Sequence, residues 1–245
     1  MSSGDLFAEL VERVRAGRPA ALATRIAGPG PLGSKMLVTP DGKAEGGFGD
    51  PTLDEAARAF ALRSLAAGES GTLEAEGARI FVEVHAPFPR LVVVGAVHIT
   101  VTLVRLAREM GFQVVVCDAR SRFATPERFP DVDELILGWP NEVLPLLHLD
   151  EASYVVVVTH DAKLDNPALA AALRSPAPYI GALGSKRTHA RRVAALREEG
   201  VSESDLARIH APIGLEIGAA SPQEIALAIM AEIVAVRRGA LGEAG

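Results

Sequence analysis

From residue 91 onward the chain repeats one pattern: a short, unbroken apolar run, a turn, then a helical segment. The runs are "LVVVG" (91–95), "QVVVCDA" (113–119), "ELILG" (134–138), "SYVVVVTH" (153–160) and "PYIGALG" (178–184). A half-exposed strand alternates apolar with polar residues, whereas a strand apolar at every position is covered on both faces. Helical patterns follow at 99–110, 141–148, 164–174, 186–198, 202–208 and 222–238. Ser221, Pro222 and Glu224 give the last of these a cap, a first-turn proline and a capping-box partner. The alternation predicts an α/β fold, a Rossmann-like doubly wound parallel sheet. In such sheets ligands bind beyond the carboxyl ends of the strands.

The first 88 residues read differently, as a small α+β domain. Leu6, Phe7, Leu10, Val11 and Val14 share one face of a helix over 5–16, which Gly17 can end. "AALATRI" reads as a strand and "GPGPLGS" as a loop. "KMLVTPDGKAE" reads as a strand, a turn and a returning strand. "TLDEAARAFALRSLAAG" reads as a helix with Thr52 and Glu55 at capping-box spacing and Gly68 as its stop. "GTLEAEGARIFVEVH" reads as a hairpin around Glu76 and Gly77. Proline-stiffened "APFPR" (86–90) is the expected joint. The predicted domains are 1–88 and 89–239, with a frayed tail at 240–245.

Composition narrows the function classes. A net charge of −6 argues against a duplex-binding surface, so no nucleic acid partner is expected. No apolar run approaches the roughly 18–20 residues of a membrane span. The opening segment lacks the basic-then-apolar order of a signal peptide. The lone cysteine excludes an intramolecular disulfide. These features fit a soluble cytoplasmic protein.

Candidate ligand residues cluster at the strand ends. In G-x-G-x-x-G the first glycine turns the chain, the second admits a pyrophosphate and the third lets helix and strand pack closely. Here Gly95, Ala96, Val97, His98, Ile99 and Thr100 occupy the motif. Val97 is expected to stand where a phosphate approaches, and Thr100 to crowd the helix–strand contact. The helix amides still favour an anion, and the same turn can equally bind nothing. Asp118, 23 residues after Gly95, stands near the offset of a ribose-binding acid, or caps its own loop. Arg120 and Arg122 can instead meet an extra phosphate. His160 and Asp161 fit a proton shuttle or a closed loop network. Gly181, Gly184, Ser185 and Lys186 offer a second anion site, because Lys186 and Arg187 oppose the helix dipole. No metal-ligand spacing and no nucleophile with a positioned base occur, so neither a metal site nor catalytic residues are expected. Ile225, Ile229, Ile233 and Val236 form a stripe that is core, or core plus a contact between protomers, and on it rests the expectation of a homodimer.

The stretches "DARSRFATPERFPDVDE", "THDAKLD", "YIGALGSKR" and "LREEGVSESDLARIHAPIGLEIGAASPQEIALAIMAEI", in this order, resemble the XdhC/CoxI family over about residues 91–239. Its members are accessory factors of xanthine dehydrogenase and related molybdenum hydroxylases. The resemblance implies a Rossmann-type domain that binds molybdenum cofactor, as molybdopterin or its dinucleotide form. It further implies assistance in sulfuration and insertion, with a cysteine desulfurase and the molybdenum hydroxylase large subunit as partners. The family's first loop reads Gly-Ala-Gly-His-Val-Gly. Gly95, Ala96 and His98 match it, while Val97 and Thr100 depart from it. "GSKMLV" (33–38) echoes the family's first domain. The family's Gly-Gly-Cys-Leu-Glu stretch is replaced by "GFGDPTLDE", with Asp50 and Pro51 near the cysteine's place. Two other functions stay open on the sequence: an NAD(P)-binding oxidoreductase, and a degenerate paralogue with a structural or regulatory role.

Overall fold

The computed structural model describes residues 3–85 and 88–241. Residues 86 and 87 of the expected joint and 242–245 of the expected tail lie outside them. The chain divides into two compact units, Met1–Pro87 and Phe88–Gly245.

In the first unit, helix α1 (Ser3–Arg15) leads into strands β1 (Ala20–Ala27), β2 (Lys35–Val38) and β3 (Ala44–Gly46). Helix α2 (Pro51–Ala67) and the hairpin β4 (Gly71–Ala75) and β5 (Ala78–His85) follow. The antiparallel sheet runs β3-β2-β1-β5-β4. Alternation along β1 feeds two small cores. Ala21 and Ala23 join Leu53, Ala57 and Ala61 of α2, while Ala20 and Leu22 join Leu6 and Leu10 of α1. The apolar face of α1 is narrower than its sequence suggests, since Phe7 and Val14 are exposed. The start of α2 also differs from the expected Thr52–Glu55 box. Asp50 is the cap, its carboxylate accepting from the Thr52 and Leu53 amides, with Pro51 in the first turn. Asp50, near the place of the family's cysteine, is therefore a helix cap here.

In the second unit, strands β6 (Arg90–Val94), β7 (Gln113–Asp118), β8 (Glu134–Leu137), β9 (Ser153–Val157), β10 (Tyr179–Ala182) and β11 (Ile209–His210) form one sheet. The helices are α3 (His98–Glu109), α4 (Pro140–Leu146), α5 (Ala162–Leu173), α6 (Lys186–Glu198), α7 (Glu203–Leu206) and α8 (Pro222–Arg237). All pairings are parallel and the order is β11-β10-β9-β6-β7-β8. Counted within this unit, that is the 3-2-1-4-5-6 order of a dinucleotide-binding fold. The strand β11 is an addition to the sequence expectation: two residues carry too little pattern to read.

The unbroken apolar runs are explained by two cores, one on each face of the sheet. Leu91, Val93, Val114, Val116 and Val156 pack with α3 and α8. Val92, Val94, Val115, Cys117, Val155 and Val157 pack under α4, α5 and α6. Each fully buried side chain of this kind contributes about 1.5–3 kcal/mol of transfer free energy. The stripe on α8 belongs to this interior: Ile229 and Ile233 are buried, and α8 lies along α3. Ile225 and Val236 of the same stripe are half-buried against this core.

Candidate functional site

Register aligns the strand ends. Val94 is level with Cys117 and Val157, Asp118 with Leu137, and Ala182 with Val157. Gly95, Asp118, Thr159 and Leu183 consequently leave the sheet along one rim, where the order reverses between β6 and β9. That reversal is the switch point at which open α/β sheets hold ligands.

Gly95 has φ +120°, and a Cβ there would come within 3.0–3.2 Å of Thr159 and the Val158 carbonyl carbon. Only glycine fits this turn. Its amide donates to the Cys117 carbonyl. Thr100 does not crowd the helix as expected. It is fully buried, and its hydroxyl donates to the Gly95 carbonyl at 2.5 Å, so the close contact is stitched by a hydrogen bond. Val97 precedes α3 in extended backbone, half-buried, and packs against the core on the α3 side. His98 is exposed at the first position of α3.

Asp118 is fully buried and closes on its own neighbours. Its Oδ2 accepts from the Ala96 amide at 2.8 Å and from Arg120 Nη2 at 2.8 Å. Its Oδ1 accepts from the Arg120 amide at 2.9 Å and Nε at 2.8 Å. A carboxylate has about four acceptor positions, and all are filled. Burial opposes ionisation, but the Arg120 guanidinium and the two amides outweigh it and hold the carboxyl below its ordinary value. No lone pair is left for a ribose hydroxyl.

Beyond Asp118 the loop builds a cationic platform. The guanidinium carbons of Arg120 and Arg122 lie 4.6 and 4.8 Å from the Phe123 ring centre. Arg128 ties that loop to the first one, donating to the Ala96 and Phe123 carbonyls. Its role was not legible in sequence, because it depends on a carbonyl 32 residues away.

His160 and Asp161 do not form a pair. Asp161 caps α5 through the Lys163 amide, and His160 is exposed in left-handed backbone at φ +62°. The working network starts instead at Thr159, whose hydroxyl donates to Asp165 Oδ1 at 2.6 Å. Asp165 Oδ2 lies 3.0 Å from Arg192 Nη2, which also donates to the Leu183 carbonyl. Asp165 and Arg192 are buried charges on the inner faces of α5 and α6. The sequence signal is a charge at an apolar-face position, beside Ala168 and Leu169 in one helix and Leu196 in the other.

On the next strand, Gly181 lies inside β10, where a Cβ would meet Ile213 and the Tyr179 hydroxyl at 2.5–2.7 Å. Its missing side chain makes room for the protein's own packing. Gly184 and Ser185 stand at the open rim, with Ser185 capping α6 through the Thr188 amide. Lys186 and Arg187 are exposed in the first turn.

Behind β10 lies a second buried cluster that the sequence did not reveal. Glu232 accepts from the Tyr179 hydroxyl at 2.5 Å and the Gly214 amide at 2.7 Å, and faces His210 Nδ1 at 3.1 Å. It anchors the 211–220 loop to α8.

Cys117 is fully buried, and burial, helped by the Asp118 charge, pushes its thiol to about 12. Iodoacetamide at pH 8 is therefore expected to leave the folded protein unlabelled while labelling the unfolded chain. Rapid stoichiometric labelling of the folded form would contradict this burial. Among the described residues, no group of three His, Cys, Asp or Glu is placed to hold a metal ion. No helix among them is long and apolar enough to cross a membrane.

Residues 91–233 match the family described as the XdhC Rossmann domain, and residues 13–75 match the XdhC and CoxI family. An uncharacterised Escherichia coli K12 protein, YqeB, is 30% identical over 85% of this chain and 41% of its own length. A Bacillus subtilis 168 protein, named as a probable xanthine dehydrogenase subunit, is 32% identical over 65% of this chain and 46% of its own. The molybdenum cofactor insertion chaperone PaoD of Escherichia coli K12 is 37% identical over 36% and 28%. The chain thus spans less than half the length of these relatives. A solved Bacillus halodurans protein described as a xanthine dehydrogenase shares the fold, with TM-score 0.58 and 23% identity over 98% of this chain and 96% of its own.

Proposed function

Because this chain belongs to the XdhC and CoxI family, we propose that it is an accessory factor holding molybdenum cofactor for a hydroxylase of the xanthine dehydrogenase type. The names of the Bacillus subtilis relative and of PaoD support that direction. The observation that carries it is the rim itself. Its one fully buried strand-end acid, Asp118, is saturated, while Arg122, Lys186 and Arg187 face outward without a carboxylate partner among the described residues. A rim so charged fits an anionic pterin phosphate.

The residues that would hold the cofactor are the first amides of α3, from His98 on, Arg122 beside Phe123, and the Gly184–Lys186 turn. When bound, the cofactor supplies the redox-active molybdenum centre; this chain supplies binding and orientation. Sulfur for the cofactor comes, in this reading, from a partner cysteine desulfurase, because the only thiol of the chain is buried and protonated. The receiving partner is the large subunit of the hydroxylase. An NAD(P) dehydrogenase reading is disfavoured by Asp118, whose acceptor positions are occupied.

Anaerobic incubation with molybdenum cofactor, followed by gel filtration and pterin fluorescence of the protein peak, tests the proposal. The expected result is cofactor retained by the wild-type protein and lost on Arg122→Ala. NADPH is expected not to compete. Absence of pterin from the protein peak, or tight NADPH binding with turnover of a carbonyl substrate, overturns it.

A further inference from the structure

We propose that the amino end of α6, backed by the Arg192 guanidinium, is a binding site for a phosphoryl group. The inference rests on the cofactor reading above and names the residues that would take the ligand's phosphate.

Arg192 lies in the second turn of α6, with its side chain only 4% exposed. Helical side chains lean toward the helix amino end. That lean carries its Nη2 to the Leu183 carbonyl, two residues before the Ser185 cap. Nη2 is occupied by that carbonyl and by Asp165, but Nη1 is buried with no partner among the described residues. A buried, unpaired donor on a charged group is costly and is rarely left so without a ligand or ordered water. One turn earlier on the same face, His189 has a buried Nδ1 in the same condition. Burial, aided by the Arg192 charge, lowers the pKa of that ring.

The surface above these atoms is built for an anion. Gly184 at φ +144° lets the chain enter α6 in a conformation other residues rarely adopt. Ser185 caps the Thr188 amide, so the Lys186 and Arg187 amides are left to face outward. No acid occupies the first turn. Lys186 and Arg187 stand there against the helix dipole with no carboxylate partner among the described residues. Asp165, the buried acid nearby, is already engaged by Thr159 and Arg192. Two surface cations, free amides and the one unmatched nitrogen of Arg192 favour a tetrahedral dianion over a carboxylate.

Inorganic phosphate is the probe. Its phosphorus NMR line is titrated with the full chain at constant ionic strength. Wild type is expected to broaden it saturably, and the double variant K186A/R187A to weaken binding about tenfold or more. Arg192→Lys keeps a charge beside Asp165 but removes the second nitrogen, and is expected to weaken phosphate likewise. If that buried substitution fails to fold, the surface double variant decides. No saturable binding by wild type, or equal affinity in wild type and K186A/R187A, overturns the assignment. Cofactor retention by the same proteins separates the two readings. Equal retention by wild type and K186A/R187A keeps the cofactor reading and removes α6 from it. Phosphate binding that is lost on substitution, with no cofactor retained by either protein, keeps the site, makes free phosphate its ligand and removes the cofactor reading.

Discussion

Asp165→Ala is expected to lower the stability of the second unit by about 3–5 kcal/mol. The cost of breaking a buried ion pair comes from the partner left behind. Arg192 would stay charged and almost wholly enclosed, with only the Leu183 carbonyl as acceptor, and the Thr159 hydroxyl would exchange its 2.6 Å acceptor for the longer contact to the Asp161 carbonyl at 3.3 Å. Denaturant unfolding followed by the fluorescence of Trp139, the single tryptophan and a residue of this unit, reads the effect. Replacing both partners with apolar residues, Asp165→Leu with Arg192→Met, is expected to recover most of the loss, since no stranded charge remains. A single-variant cost under about 1 kcal/mol would place the pair in the class of solvated surface bridges and refute its burial. Thr159 also lies against Gly95, so the same variant is expected to loosen the rim at its switch point.

Glu232→Ala comes second, at about 2–4 kcal/mol, because it strips acceptors from the Tyr179 hydroxyl, the Gly214 amide and the His210 ring at once. It also carries a pH signature. Burial alone would raise the Glu232 carboxyl, but the hydrogen bonds from His210, Tyr179 and Gly214 together bring it below its ordinary 4.5. A carboxyl lowered in the folded state contributes stability that is full above its unfolded value and lost as pH falls through its folded value. Between about pH 5 and pH 2 wild type should therefore lose more stability than Glu232→Gln, whose side chain does not titrate. Parallel acid limbs for the two proteins would show that the carboxylate is not coupled to folding.

Legibility followed range. The parallel sheet could be read because each strand carries its own signal: Val92 to Val94 or Val155 to Val157 are apolar on both faces, and this requires cover from both sides. The caps Ser185 and Ser221 could be read because their partners lie three residues away. Asp50 shows the limit of such local reading. Asp50 and Thr52 both have cap-forming side chains, and the cap falls on Asp50, in extended backbone, with Pro51 in the first turn. Thr100 shows a different limit. Its volume is visible in sequence, but the direction of its hydroxyl toward the Gly95 carbonyl is not. The Asp118–Arg120 closure spans two residues, yet its meaning came from the Ala96 amide, which β7 meets only by lying beside β6.

What the sequence determined by itself was the architecture of the second unit and the edge at which its loops gather, since hydrophobic period and capping are short-range physics. What only the tertiary structure decided was which polar groups on that edge are free. Asp118 and Asp165 have the same chemistry as any exposed aspartate, and Arg192 the same as Lys186's neighbour Arg187. Burial and the Ala96 amide, added to the local grip of Arg120, fill the acceptors of Asp118, while partners from other elements engage Asp165 and leave one nitrogen of Arg192 unmatched. Those states arise from contacts between residues far apart in the chain, which a linear pattern does not encode.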